Sequence, residues 1–152
     1  MDGPLAEAAL AQPSGLALYG PYLFFADSEI SSIRAVDLQQ REVVTLVGQG
    51  LFDFGDVDGS GAEVRLQHPL GVAAADNTVY VADSYNHKIK AISLHGSVVS
   101  TLAGGDGSLW EPSGLDAWGD HLLVADTNHH RVVTVHRQTG EVRPLLLSGS
   151  AG

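Results

Sequence analysis

Apolar residues in this chain fall in short runs broken by turn residues, which is the pattern of strands. In the best-formed stretch the runs are Val72–Ala75, Thr78–Ala82, Ile89–Leu94 and Val98–Leu102. They are separated by Asp76-Asn77, by Asp83-Ser84-Tyr85-Asn86-His87 and by His95-Gly96. β-Branched and aromatic side chains fill the runs, as a pleated surface prefers. The second run of each unit, such as Tyr22–Ala26 or His121–Ala125, is apolar on both parities. A strand of that kind must be covered on both faces. No helix is predicted.

The runs repeat. With Pro13, Pro69 and Pro112 in register, Gly15, Gly71 and Gly114 follow two residues later, and Asp27, Asp83 and Asp126 follow fourteen residues later. Ala26, Ala82 and Ala125 precede the aspartates, while Ile33, Ile89 and Val132 come six residues after them. Leu46, Leu102 and Leu145 also align, as do Leu10, Leu66 and Leu109 upstream. The spacing is 43 residues between the last two prolines and 56 between the first two. The excess of 13 residues falls in Gly50–Gln67 and reads as an inserted loop. A period near 43 with four strands per unit corresponds to one blade of a β-propeller.

The expected organisation is an all-β chain of three four-stranded antiparallel blades. Residues 1–12 end a preceding inter-blade segment, 13–50 form the first blade and 51–68 the inserted inter-blade loop. Residues 69–107 and 108–147 form the second and third blades, and 148–152 a linker or terminal tail.

Composition narrows the function classes. The 152 residues include 44% hydrophobic and 17% charged, a balance that folds. Net charge is −10, with only 8 Lys and Arg, so neither a phosphate backbone nor an anionic membrane is an expected partner. With no cysteine, disulfides, thiolate metal sites and thiol catalysis are excluded within this segment. Met1-Asp2-Gly3 lacks a basic leader region, and Glu7 interrupts the apolar stretch after it, so no signal peptide is expected.

Val81-Ala82-Asp83-Ser84-Tyr85-Asn86-His87-Lys88-Ile89 and Val124-Ala125-Asp126-Thr127-Asn128-His129-His130-Arg131-Val132 resemble the signature of NHL repeats. The first unit departs from it, with Asp27-Ser28-Glu29-Ile30-Ser31-Ser32 in place of the Asn-His pattern. The resemblance implies a six-bladed ring, of which three blades span half a turn and leave two apolar faces bare. The chain is then a fragment, or half of a ring closed as a homodimer. The resemblance also implies two functions. One is a scaffold for a protein or adjoining domain. The other is a propeller enzyme, a lyase or hydrolase with a metal on the axis. RNA binding, known in the family, is disfavoured by the charge.

Asp27, Asp83 and Asp126 recur once per blade, which suits a turn in which the carboxylate accepts backbone N–H groups about two residues on. Catalytic groups normally occur once. The turns bearing His87 and His130 should lie about 14 Å from the axis and about 14 Å apart, given a strand spacing near 4.8 Å. One zinc needs ligands about 2 Å away and cannot bridge them. Asp56-Val57-Asp58-Gly59-Ser60-Gly61 matches the opening of a calcium loop, but Gln67 stands where the closing Glu belongs. Of the charged residues, only Asp116 falls on the innermost runs. No catalytic residue, metal or cofactor is therefore expected. What remains is the loop face, which collects Phe52, Phe54, His68, Tyr85, Asn86, His87, Trp110, Asn128, His129 and His130 as candidate partner-binding residues.

Overall fold

The computed structural model describes residues 1–145; the tail over 148–152 lies outside them. It is all-β, with three antiparallel sheets of five, five and four strands. The first blade runs inward to outward through β2 (Pro13–Tyr19), β3 (Tyr22–Asp27), β4 (Ser32–Asp37) and β5 (Glu42–Val47), with β1 (Gly3–Pro4) added outside β5. The second has β7 (Gly71–Ala75), β8 (Thr78–Asp83), β9 (Lys88–Ser93) and β10 (Val98–Gly104), with β6 (Gly59–Ser60) outside β10. The third has β11 (Pro112–Trp118), β12 (His121–Asp126), β13 (Arg131–His136) and β14 (Val142–Pro144).

Local chemistry sets the hairpins. Asp76 and Asn77 join β7 to β8 with φ of 50° and 56°. Two residues at positive φ make the tight connection that matches strand twist, and Asp and Asn accept that conformation best. Between the second and third strands of each blade the chain makes one 3-10 turn, Ser28–Ile30, Ser84–Asn86 or Thr127–His129. Each turn ends on a left-handed residue, Ser31, His87 or His130.

The core lies between blades. Phe24, Ala26, Ile33 and Val47 of the first blade pack on Val64, Leu66, Val79 and Ile92 of the second. Tyr80, Ala82 and Ile89 of the second pack on Leu122, Val124 and Val133 of the third. A middle strand covered by neighbours on both sides is buried throughout, as β8 is from Val79 to Asp83. In β12, buried residues alternate with half-buried ones, because among the described residues only one of its faces is covered by a neighbouring blade. Thus Ile33 and Ile89 are 0% exposed, whereas their counterpart Val132 is 45% exposed. At the other end, Leu66 and Leu109 are 0% and 2% exposed, and Leu10 is 46% exposed.

The stretch read as an inserted loop supplies more than a connection. Residues 57–68 return along the edge of the second blade, pair through β6 and then cross to β7. Residues 2–12 do the same for the first blade through β1. The two segments correspond at the 56-residue offset, with Asp2, Gly3, Ala6, Glu7 and Leu10 matching Asp58, Gly59, Ala62, Glu63 and Leu66. Each is an entry strap, and among the described residues the third blade, a four-stranded sheet, has none.

The straps latch onto buried cations. Arg34 and Lys90 occupy the same position in β4 and β9, both essentially inaccessible to solvent. Arg34 pairs with Asp27 at 2.8 Å and with Asp2 at 2.9 Å. Lys90 pairs with Asp56 at 2.5 Å and Asp58 at 2.7 Å, with Asp83 at 4.0 Å. Thr45 and Thr101, again equivalent, donate to Asp2 and Asp58. The run compared with a calcium loop therefore spends its carboxylates on Lys90, Lys88 and Thr101. In the strapless third blade the cation position is Val133.

Candidate interaction face

The repeated aspartates are structural anchors, but they do not close their own turns. Each sits before its 3-10 turn and makes no side-chain cap to it. The donors lie fifteen or sixteen residues upstream instead. Ala11 and Gln12 N–H donate to Asp27, Gln67 N–H to Asp83 at 2.8 Å, and Trp110 N–H to Asp126 at 2.8 Å. These bonds pin the incoming chain to the end of the second strand, just before it enters the innermost one, through a register shift in the first and third blades. Their electrostatics differ. Burial pushes the Asp83 carboxyl up to about 6, against hydrogen bonds from Asn86 and Gln67 and the Lys90 charge. Asp126 is also raised by burial, yet the Trp110 amide, Arg131 and His129 outweigh that and hold it below the usual carboxylate value.

The same bonds gather one rim of the propeller. The Asn86 amide donates to Gly55 O at 2.6 Å and to Asp83 at 2.8 Å. His87 Nδ1 accepts from the Glu111 amide at 3.0 Å, coupling the second blade to the third. Asn128 donates to the Glu111 carboxylate, and its own N–H to Trp110 O. His129 Nδ1 bonds Asp126 at 2.7 Å. The Asn86 and Asn128 amide nitrogens and the Nδ1 atoms of His87 and His129 are thus engaged within the chain.

The aromatic rings remain. His68 stacks on Tyr85 with ring centroids 4.7 Å apart, and Trp110 meets His129 edge-on at 5.8 Å. Phe52, Phe54, Tyr85 and Trp110 are about half exposed or more, Phe52 reaching 85%. His130 is also exposed. A cleft of about 410 Å³ opens between the second and third blades, with Asn86, Lys88, Trp110 and His129 in its walls. Among the described residues, no group of three or more His, Asp or Glu is arranged to hold a metal ion. On the axial side, the wall formed by β2, β7 and β11 presents Leu16, Leu18, Val72 and Leu115 beside Asp116, whose carboxylate accepts the Ala117 amide. No helix among the described residues is long and apolar enough to cross a membrane.

The residues missed in the sequence are the strap carboxylates and their cations. The signal for them was the pair of Asp-Gly…Ala-Glu…Leu copies ahead of Pro13 and Pro69.

Comparison with known proteins places this architecture. The NHL repeat model matches residues 66–92 and 109–134, the second and third blades. NHL repeat-containing protein 2 of Bos taurus is 44% identical over 95% of this chain, which spans only 24% of that relative's length. Among solved structures, a chain of a nidogen/laminin complex superposes with TM-score 0.71 at 22% identity, over 90% of this chain and 49% of that one. Virginiamycin B lyase from Staphylococcus aureus superposes with TM-score 0.66 at 12% identity, over 97% of this chain and 45% of the lyase. Repeats, register and blade packing agree, and the chain belongs to the NHL-repeat β-propeller proteins.

Proposed function

We propose that this segment is a non-catalytic scaffold that binds a protein, or an adjoining domain, through its loop face. The observation that carries the proposal is the set of exposed aromatic rings on the inter-blade and turn loops: Phe52, Phe54, Tyr85 and Trp110. Aromatic anchors dominate binding energy where a partner desolvates them. The residues around them are held by hydrogen bonds within the chain, so the rings sit on a rigid platform that loses little entropy on binding. A chain in a nidogen/laminin complex shares the fold, which is consistent with protein recognition. The net charge of −10 favours a protein partner over nucleic acid.

The competing reading is a part of a propeller enzyme acting on the axis. Likeness in fold to virginiamycin B lyase favours it, with Asp116 as the charged group this chain brings to the inner wall. Fold alone does not choose between the two readings.

The test is binding of a purified partner to rim variants whose circular dichroism is unchanged. Tyr85→Ala and Trp110→Ala should each cost about 2 kcal/mol, as central anchors do. Affinity unaffected by substituting Phe52, Phe54, Tyr85 and Trp110 together would refute the assignment.

A further inference from the structure

The joint between the second and third blades differs from the joint between the first and second at three matched positions. Tyr19 of the first blade has Ala75 as its counterpart in the second, Phe24 has Tyr80, and Leu94 of the second has Arg137 in the third. At the first joint these side chains close the space between blades. Leu94 packs against the apolar cluster that holds Phe24, and the Tyr19 hydroxyl reaches across to accept the Asn77 N–H at 2.9 Å. At the second joint a small residue and two polar ones take their places, and a cleft of about 480 Å³ opens. It lies on the face opposite the aromatic rim, because the Asp76-Asn77 hairpin leads into β8 and the Ser84–Asn86 turn follows its other end. All of its lining falls between Asp76 and Gln138, on facing sides of two complete blades.

Arg137 is held in place within this cleft. Its Nε donates to Gly119 O at 2.9 Å and its Nη2 to Asp76 at 2.9 Å, while Nη1 donates to the Tyr80 hydroxyl at 3.4 Å. A guanidinium carries five N–H groups, so two remain for a ligand. Tyr80 is 5% exposed, and its hydroxyl accepts from Arg137 but has no acceptor for its own proton among the described residues. A buried donor in that state costs free energy that a ligand oxygen would recover. Ser93 and Ser100 add hydroxyls from the second blade, and Asp120 and Gln138, both exposed, line the cleft from the third.

Small-molecule sites are usually lined mainly by apolar groups. Here the lining is mostly hydroxyl, amide, guanidinium and carboxylate, with Ala91 and Val98 as its apolar side chains. One cation stands among two carboxylates, Asp76 and Asp120, so the cleft has no excess positive charge to hold an anion. A cationic ligand would meet a guanidinium that already occupies Asp76. A neutral ligand rich in hydroxyls, each able to donate and to accept, satisfies both kinds of group. We infer that this cleft binds a neutral saccharide unit, whose oxygens accept from Arg137 and Tyr80 and whose hydroxyls donate to Asp120 and the serine oxygens. The site is separate from the aromatic rim and does not rest on the protein-binding reading.

Purified protein presented with neutral mono- and disaccharides, free in solution and as immobilised neutral glycans, tests this. Saturation-transfer NMR should find a free saccharide bound with a dissociation constant of about 10 mM or below, as suits an open cleft. Binding to the immobilised glycans alone would support the same site and mark the ligand as a glycoconjugate. Tyr80→Phe with Arg137→Leu installs the side chains of the first joint, so the circular dichroism spectrum should be unchanged while binding weakens about tenfold or more. Ser100→Ala, at an exposed position, should weaken it about threefold with no change in melting temperature. Trp110→Ala, on the other face, should bind as wild type does. Binding of no free or immobilised saccharide would overturn the inference, as would binding that survives the Tyr80→Phe, Arg137→Leu protein unchanged. So would displacement of the saccharide by inorganic phosphate or by methylguanidinium, which would make this an ion site.

Discussion

The buried cation of the second blade gives the sharpest stability prediction. Lys90 is 0% exposed and is the shared counter-charge of Asp56, Asp58 and Asp83. Burial lowers its pKa, but Asp56, Asp58 and Asp83 outweigh that and leave it raised above the usual lysine value. Lys90→Met keeps the stem and its packing but removes the charge. Asp83 is then buried with no cation within reach, while Asp56 keeps Lys88 and Asp58 keeps Thr101. Breaking a buried pair from one side costs about 3–5 kcal/mol, and the partial hydration of Asp56 and Asp58 puts the expected loss near 3 kcal/mol at pH 7. The loss should shrink as pH falls toward 4, because protonation of the stranded carboxylates removes the uncompensated charge. Adding Asp58→Asn to Lys90→Met should recover part of the stability, a coupling that a double-mutant cycle reads directly. Urea unfolding of the four proteins at pH 7 and pH 5 is the assay. A Lys90→Met variant within about 0.5 kcal/mol of wild type, the range of ordinary surface changes, would refute the latch.

Asp83→Ala should cost about 1–3 kcal/mol by leaving the Gln67 and Asn86 donors unsatisfied. Its pH dependence has a fixed sign. A carboxyl at about 6 when folded and 3.8 when unfolded binds more protons in the folded state between those values. The advantage of wild type over Asp83→Ala should therefore widen as pH falls from 7 to 4, and a difference flat with pH would argue against the raised carboxyl. Gly71→Ala forces a Cβ to within 2.0 Å of Ser113 O and should destabilise by at least about 1–3 kcal/mol, as overpacking does. An unchanged melting temperature would show that the innermost strands are free to part.

The blade was legible because its determinants are local and repeat. Turn residues such as Asp76-Asn77, the Pro-x-Gly before each innermost strand and the two-sided apolar second strand each follow from backbone preference or from coverage by neighbours. The donors to the anchor aspartates were not legible. The Ala11, Gln67 and Trp110 amides lie far upstream, beyond the reach of a local turn pattern. The strap was hidden for another reason. Its first copy precedes the first proline and the third blade has none, so two copies looked like one insertion. Arg34 and Lys90 gave little warning, since a single cation in a strand is normally on the solvent face. On the rim, the His-Asn spacing stood out in the sequence, yet its polar atoms turned inward. The rings beside it kept their exposure.

The latched straps also govern where such a protein can be cut and rejoined. A joint just before Pro69 would look natural from the proline register, but it would separate Lys90 from Asp56 and Asp58 and leave it only the Asp83 carboxylate at 4.0 Å. A joint near Gly50 moves the second blade together with its own counter-ions, and the third blade, with Val133 at that position, travels without any. Gain or loss of a strap by duplication or exchange is therefore tolerated only when the residue on the third strand changes with it. Blades with and without straps behave as two interchangeable cassettes rather than as points on a continuum.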